Sequence, residues 1–82
     1  MITVRYFASI RETMGRSQEV VDSAAPTLGA LRDELIARGG AYAECLARGQ
    51  AVRLALNQIM ADESVALVDG AEVAFFPPVT GG

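Results

Sequence analysis

The stretch Asp69-Gly70-Ala71-Glu72-Val73-Ala74-Phe75-Phe76-Pro77-Pro78-Val79-Thr80-Gly81-Gly82 decides how the rest of the chain is read. Asp69-Gly70 is a turn pair. From Glu72 the residues alternate, Val73 and Phe75 to one face and Ala74 and Phe76 to the other, which is the period of a β-strand. Proline has no N–H to give a β-ladder, so regular pairing is predicted to stop at about Phe76. Pro77 and Pro78 fix their own φ and push Phe76 and Pro77 toward extended backbone. Gly81-Gly82 has no Cβ and can enter a slot too narrow for other residues. The stretch from Pro77 to Gly82, extended at about 3.3–3.6 Å per residue, would carry the terminal carboxylate roughly 20 Å from the domain. Two readings compete: a frayed chain end without function, or a stiff base with a thin, flexible tip that presents its carboxylate. The aromatic-proline base and the compact domain before it favour the second.

Outward from this strand, Ile2 to Ala8 also alternates, with Ile2, Val4 and Tyr6 on one face and Thr3, Arg5 and Phe7 on the other. Ser9 to Gly15 breaks that alternation, Gly15-Arg16-Ser17 reads as a turn, and Gln18 to Asp22 forms a short edge strand paired with the first. Thr27 suits an N-cap, and Leu28, Leu31, Leu35 and Ile36 share one helical face, with Arg32, Asp33 and Arg38 mostly off it. Gly39-Gly40 supplies a stop. Gly29 is expected to mark close packing of this helix on the sheet, and Ala41 to Ala47 to form a further helical turn. Val52, Leu54 and Leu56 point inward from a strand in which Arg53 and Ala55 point outward. Asn57-Gln58 turns the chain into a brief strand at Ile59-Met60, and Val65, Leu67 and Val68 tuck under the domain from a loop. The order is an α+β roll with one sheet face covered by helix and the final strand beside the first. The uncovered face would show Arg5, Phe7, Arg53, Ala55 and Phe76, and two phenylalanines together on an open sheet mark an interface.

Composition removes several function classes. Eighty-two residues, 51% of them hydrophobic, make one small domain with one core. One cysteine and no histidine exclude an intrachain disulfide, Cys/His metal clusters and histidine-based nucleophile activation. All seven basic residues are arginine, so no side-chain amine is available for acylation. A net charge of −3 argues against nucleic acid as partner. No run approaches the ~20 apolar residues of a membrane span, and Met1-Ile2-Thr3-Val4-Arg5 lacks a signal peptide's layout, so no membrane association and a cytoplasmic location are expected. Cys45, in an apolar stretch, reads as a structural thiol. Asp33-Glu34 and Asp62-Glu63 read as solvated acids, and no metal site is expected.

The chain resembles the family of small subunits of molybdopterin synthase, which are ubiquitin-like sulfur carriers of the β-grasp fold. The likeness rests on Val4-Arg5-Tyr6-Phe7-Ala8-Ser9-Ile10-Arg11-Glu12, Pro26-Thr27-Leu28 and Leu56-Asn57-Gln58, and above all on Asp69 to Gly82. A bare Gly-Gly end is common to ubiquitin-like carriers; Phe-Phe-Pro-Pro-Val-Thr-Gly-Gly is far more specific. Residues 41–50 match loosely, and nothing is carried over there. The resemblance implies a β-grasp domain over residues 1–76, with a mixed sheet of four to five strands and one main helix, and an extended tail over 77–82. It implies that the Gly82 carboxylate is adenylated by an activating partner of the ubiquitin-activating type, which uses ATP and magnesium. Sulfur from a persulfide donor then makes a thiocarboxylate, which the large synthase subunit uses to build molybdopterin from cyclic pyranopterin monophosphate. Pro77, Pro78, Val79, Thr80 and Gly81 would thread the partners' active sites. Phe7, Met60 and Phe76 would form the apolar contact to the large subunit, and Arg11 an ion-pairing one, within a heterotetramer. The carrier itself would bind no cofactor and supply no acid-base side chain. For Arg11 the alternative is a solvated loop residue, and for Met60 a core position. Other functions remain open: a ubiquitin-like protein modifier, a plain interaction module, or a carrier for thiamine, cysteine or tRNA thiolation.

Overall fold

A computed structural model describes residues 1–78. Its elements in chain order are β1 (Ile2–Tyr6), α1 (Ala8–Met14), β2 (Gln18–Val21), α2 (Leu28–Ile36), α3 (Gly40–Leu46), β3 (Arg53–Leu56), β4 (Ile59–Ala61) and β5 (Glu72–Phe76). The alternating stretch before the prolines is the middle strand of a five-stranded sheet ordered β2-β1-β5-β3-β4. β5 runs parallel to β1, pairing Val4 with Val73 and Tyr6 with Phe75. It runs antiparallel to β3, pairing Leu54 with Phe75. Both outer pairs, β1–β2 and β3–β4, are antiparallel. The tight β3–β4 turn takes positive φ at both Asn57 and Gln58, the conformation a two-residue hairpin with the sheet's twist requires.

One face of the sheet carries the core. Ile2, Val4 and Tyr6 from β1 and Val73 and Phe75 from β5 are buried against Ile10 of α1, Leu28, Leu31 and Leu35 of α2 and Leu46 of α3. A fully buried side chain of this size contributes about 1.5–3 kcal/mol, so the three helices are held chiefly by this face. α2 starts where expected: the Thr27 hydroxyl accepts from the Ala30 N–H at 3.1 Å. Supplying that orphan helix donor is worth about 1 kcal/mol. Leu67 is also buried.

Four expectations need correction. Ser9 to Gly15 is not a simple break, because Ala8–Met14 is a helix, anchored by Ile10 and closed by Gly15 at φ 75°, whose N–H reaches the Arg11 carbonyl. Gly29 marks close packing against the 62–65 loop and not the sheet: its N–H donates to the Glu63 carbonyl at 2.9 Å, and a Cβ there would lie 3.1 Å from the Glu63 side chain. Val68 is exposed, since only Leu67 of that pair faces the core. Arg32, expected off the apolar face of α2, is 4% exposed. Its guanidinium donates to the carbonyls of Leu46, Ala47 and Gln50 and to Glu63. Those carbonyls lie at and just past the C-terminus of α3, where helix acceptors lack intrahelical donors, and that need draws the arginine inward.

Candidate functional site

The register fixes what stands on the open face. Arg5, Ala74, Ala55 and Met60 align across β1, β5, β3 and β4. Two residues further along β5, Phe76 lies opposite Arg53 of β3. Phe7 follows β1 directly, and as the extended residue capping α1 it donates its N–H to the Phe75 carbonyl at 3.2 Å. That bond holds Phe7 beside Phe76: the two rings meet edge to face with centroids 6.4 Å apart, a favoured aromatic geometry. Phe7 is 37% exposed and Met60 55%. With Ala55 and Ala74 the three form the floor and rim of a shallow, mostly apolar cleft of about 420 Å³.

Phe7, Met60 and Phe76, named from sequence, are thus brought together. Arg11 is not in this cleft. It stands exposed on α1, with no carboxylate within ion-pair distance among the described residues. Pro77 and Pro78 leave β5 between two further clefts. Pro77 lines one with Ser9, Ile10 and Thr13 of α1 and Cys45. Pro78 lines the other with Arg53 and Met60. Val79, Thr80, Gly81 and Gly82 lie outside the described residues.

Cys45, Arg48 and the acidic pairs are engaged within the fold. Burial pushes the half-buried Cys45 thiol above its ordinary pKa, which suppresses the reactive thiolate. Arg48, the one cation near it in sequence, is bound instead to Asp33 at 2.9 Å, to Glu63, and to the Gly29 carbonyl at 3.1 Å. Asp62 accepts from Ser64, and Glu34 from Ser23 at 2.9 Å. The acidic pairs are therefore occupied by local bonds. Sequence reading missed one cluster: Tyr6 and Tyr42 both donate to the same oxygen of Glu19, each at 2.7 Å. Burial alone would raise the Glu19 carboxyl, but the bonds from Tyr42 and Tyr6 and the charges of Arg16 and Arg38 outweigh it and hold the group below its ordinary range. Burial first, then the Glu19 bond, pushes the Tyr6 phenol far up. The cluster clips α3 to β2. A tyrosine at an inward strand position, with a polar tip to satisfy, was its only trace in the sequence.

A sequence model of the ThiS family matches residues 4–82. The chain belongs to the ThiS family. Among its relatives, the molybdopterin synthase sulfur carrier subunit of Escherichia coli strain K12 is 43% identical, over the whole of both chains. Two solved structures share the fold. Small archaeal modifier protein 1 of Haloferax volcanii has a TM-score of 0.77 at 25% identity, covering 95% of this chain and 97% of that one. A chain in the complex of subunits 1 and 2 of the molybdopterin-converting factor from Helicobacter pylori has a TM-score of 0.68 at 27% identity, covering 99% and 97%. The β-grasp fold expected from the resemblance is the fold of this ThiS-family chain. Among the described residues no helix is long and apolar enough to cross a membrane.

Proposed function

We propose that this ThiS-family chain is the sulfur-carrier subunit of a molybdopterin synthase, working in the cytoplasm within a heterotetramer with the large subunit. The observation that carries the reading is full-length identity of 43% to a protein named for that role, in a chain ending Phe-Phe-Pro-Pro-Val-Thr-Gly-Gly. A carboxylate is a poor electrophile until one of its oxygens becomes part of a good leaving group. The activating enzyme, with ATP and magnesium, joins the Gly82 carboxylate to AMP and releases pyrophosphate. The outer sulfur of a persulfide donor then attacks the acyl carbon and displaces AMP, giving an acyl disulfide. A thiol reductant cleaves its S–S bond to release the donor as a thiol and leave the thiocarboxylate. The large subunit directs that sulfur to cyclic pyranopterin monophosphate. The carrier contributes tethering, and therefore high effective concentration. The acid-base groups belong to the partner, which agrees with a chain that has no histidine.

The open face suits docking to the large subunit. Phe7, Phe76 and Met60 form one apolar patch at the end of the strand that leads into Pro77 and the tail. Binding energy there would hold the globule while residues 77–82 reach the reacting centre, with Arg11 adding an ion pair from α1. The Helicobacter pylori neighbour, solved in a complex of two converting-factor subunits, supports such a partner. Deleting Gly82 tests the reading. Affinity for the large subunit should survive largely intact while molybdopterin formation disappears. Undiminished product from the truncated carrier would refute it.

A second reading, a ubiquitin-like protein modifier, is favoured by the likeness to small archaeal modifier protein 1. Lysine adducts recovered from cells would favour it over the carrier. A terminal thiocarboxylate on the isolated protein would favour the carrier.

A further inference from the structure

Six of the seven arginines fall into two groups by position; the seventh, Arg11, stands exposed on α1 without a carboxylate partner among the described residues. Arg16 and Arg38 lie 3.3 and 3.7 Å from Glu19, Arg32 lies 3.1 Å from Glu63, and Arg48 lies 2.9 Å from Asp33. All four serve the helix side of the molecule or its loops. On the open sheet face the pattern differs. Arg5 approaches only Glu72, at 3.9 Å, the outer limit of an ion pair. Its guanidinium carbon lies 5.2 Å from the centre of the Phe7 ring, within the range of a cation–π contact. Its Nε is buried and has no hydrogen-bond acceptor among the described residues. Arg53, opposite Phe76, is exposed and has no carboxylate within ion-pair distance among the described residues. Asp62 and Glu63 line the same cleft as Arg53, but Asp62 is bound by Ser64, and Glu63 by Arg32 and Arg48.

The register sets these two arginines at opposite corners of the patch. Arg5 stands on the β1 side, beside Phe7 and Ala74. Arg53 stands on the β3 side, beside Phe76. In a chain of net charge −3, the face that carries Phe7 and Phe76 is thus bounded by two cations, Arg5 with only the long 3.9 Å approach to Glu72 and Arg53 with no carboxylate partner among the described residues. A buried donor without a partner is costly, and a guanidinium is a fork suited to a carboxylate.

We infer that Arg5 and Arg53 are specificity residues of the docking face. They select a partner protein surface that seats apolar side chains on Phe7, Met60 and Phe76 and sets carboxylates opposite the two guanidinium groups. The inference rests on the docking reading above and adds to it the charge of the surface that fits. Paired charges across an interface speed encounter, fix orientation and reject partners of the wrong sign, while the apolar patch supplies affinity.

The test is titration calorimetry of the full-length carrier against its cognate large subunit at low and high salt. The variants are Arg5→Gln, Arg53→Gln and the double reversal Arg5→Glu/Arg53→Glu, with Phe7→Ala for comparison. Each single neutral variant should weaken binding about three- to tenfold at low salt, with a shallower salt dependence, and the double reversal should weaken it by more than tenfold. Arg53 is exposed and serves no described internal bond, so Arg53→Gln remains a valid probe even if the Arg5 variants melt early. Arginine variants that bind like the parent at both salt concentrations, while Phe7→Ala weakens binding, would overturn this inference and leave the docking reading standing. A parent carrier that fails to bind the large subunit at all would remove the docking reading, and this inference with it.

Discussion

The helix side and the open sheet side of this small protein are built on opposite rules. On the helix side the arginines other than Arg11 are answered internally: Arg32 satisfies three carbonyls and a carboxylate, Arg48 joins α2 to the 62–65 loop, and Arg16 and Arg38 stand beside Glu19, which accepts from two tyrosines. On the sheet side Phe7 and Met60 are exposed, Arg5 keeps an unanswered Nε, and Arg53 lacks a close carboxylate among the described residues. A satisfied surface has little to gain from a partner; an unsatisfied one has both apolar area and hydrogen-bond donors to offer. On the proposed docking reading the difference places stability chiefly on the first side and recognition chiefly on the second, and substitutions on the two should separate accordingly.

The largest separation is expected at Arg32. Arg32→Met keeps much of the stem's packing but strips donors from the carbonyls of Leu46, Ala47 and Gln50, and should cost about 3 kcal/mol of stability. Denaturant unfolding measures this, and in the folded fraction the affinity for the large subunit should be unchanged. A stable Arg32→Met variant with impaired binding would break the division. Phe7→Ala should do the reverse. Removing an exposed aromatic anchor from the patch should cost about 2 kcal/mol of partner affinity and about 1 kcal/mol of stability, because the ring is only partly buried.

A smaller effect, readable only against pH, is expected at Glu19. Its folded pKa lies below its ordinary value of 4.5, so the unfolded chain takes up this proton first as pH falls. The stabilisation is complete above that value and is lost as pH drops from 4.5 through the lowered folded pKa. Glu19→Gln should therefore be less stable than the parent near neutral pH and show a shallower loss below 4.5, in melts recorded across the acid range. Equal slopes for the two proteins would remove Glu19 from the account of the helix side.

How far the sequence could be read follows the same division. β5, the Thr27 cap, the Asn57-Gln58 turn and the Phe7 and Phe76 face were legible, because strand alternation and turn chemistry are local signals, whereas Met60 was placed there only by the family resemblance. α1 was not, since Ala8–Met14 buries only Ile10 and so shows no repeating apolar face. Arg32 was not, because periodicity assigns an arginine to solvent, and the carbonyls that hold it lie 14 to 18 residues further on. The missing partners of Arg5 and Arg53 were illegible for the complementary reason: alternation puts a residue on a face but does not say which charges fold up beside it. Local pattern recorded the open apolar face, and long-range contacts determined which polar groups were left on it.

The proposed sulfur carriage depends most on Gly82 as the end that holds the sulfur, and intact mass spectrometry tests that directly. The carrier would be incubated with its activating enzyme, ATP, magnesium, a persulfide donor and a thiol reductant, then weighed. The expected result is a mass increase equal to the exchange of one oxygen for one sulfur, located on the C-terminal peptide and absent without ATP. An unchanged mass in carrier that still yields molybdopterin once the large subunit and cyclic pyranopterin monophosphate are added, or added sulfur mapped to Cys45, would contradict it.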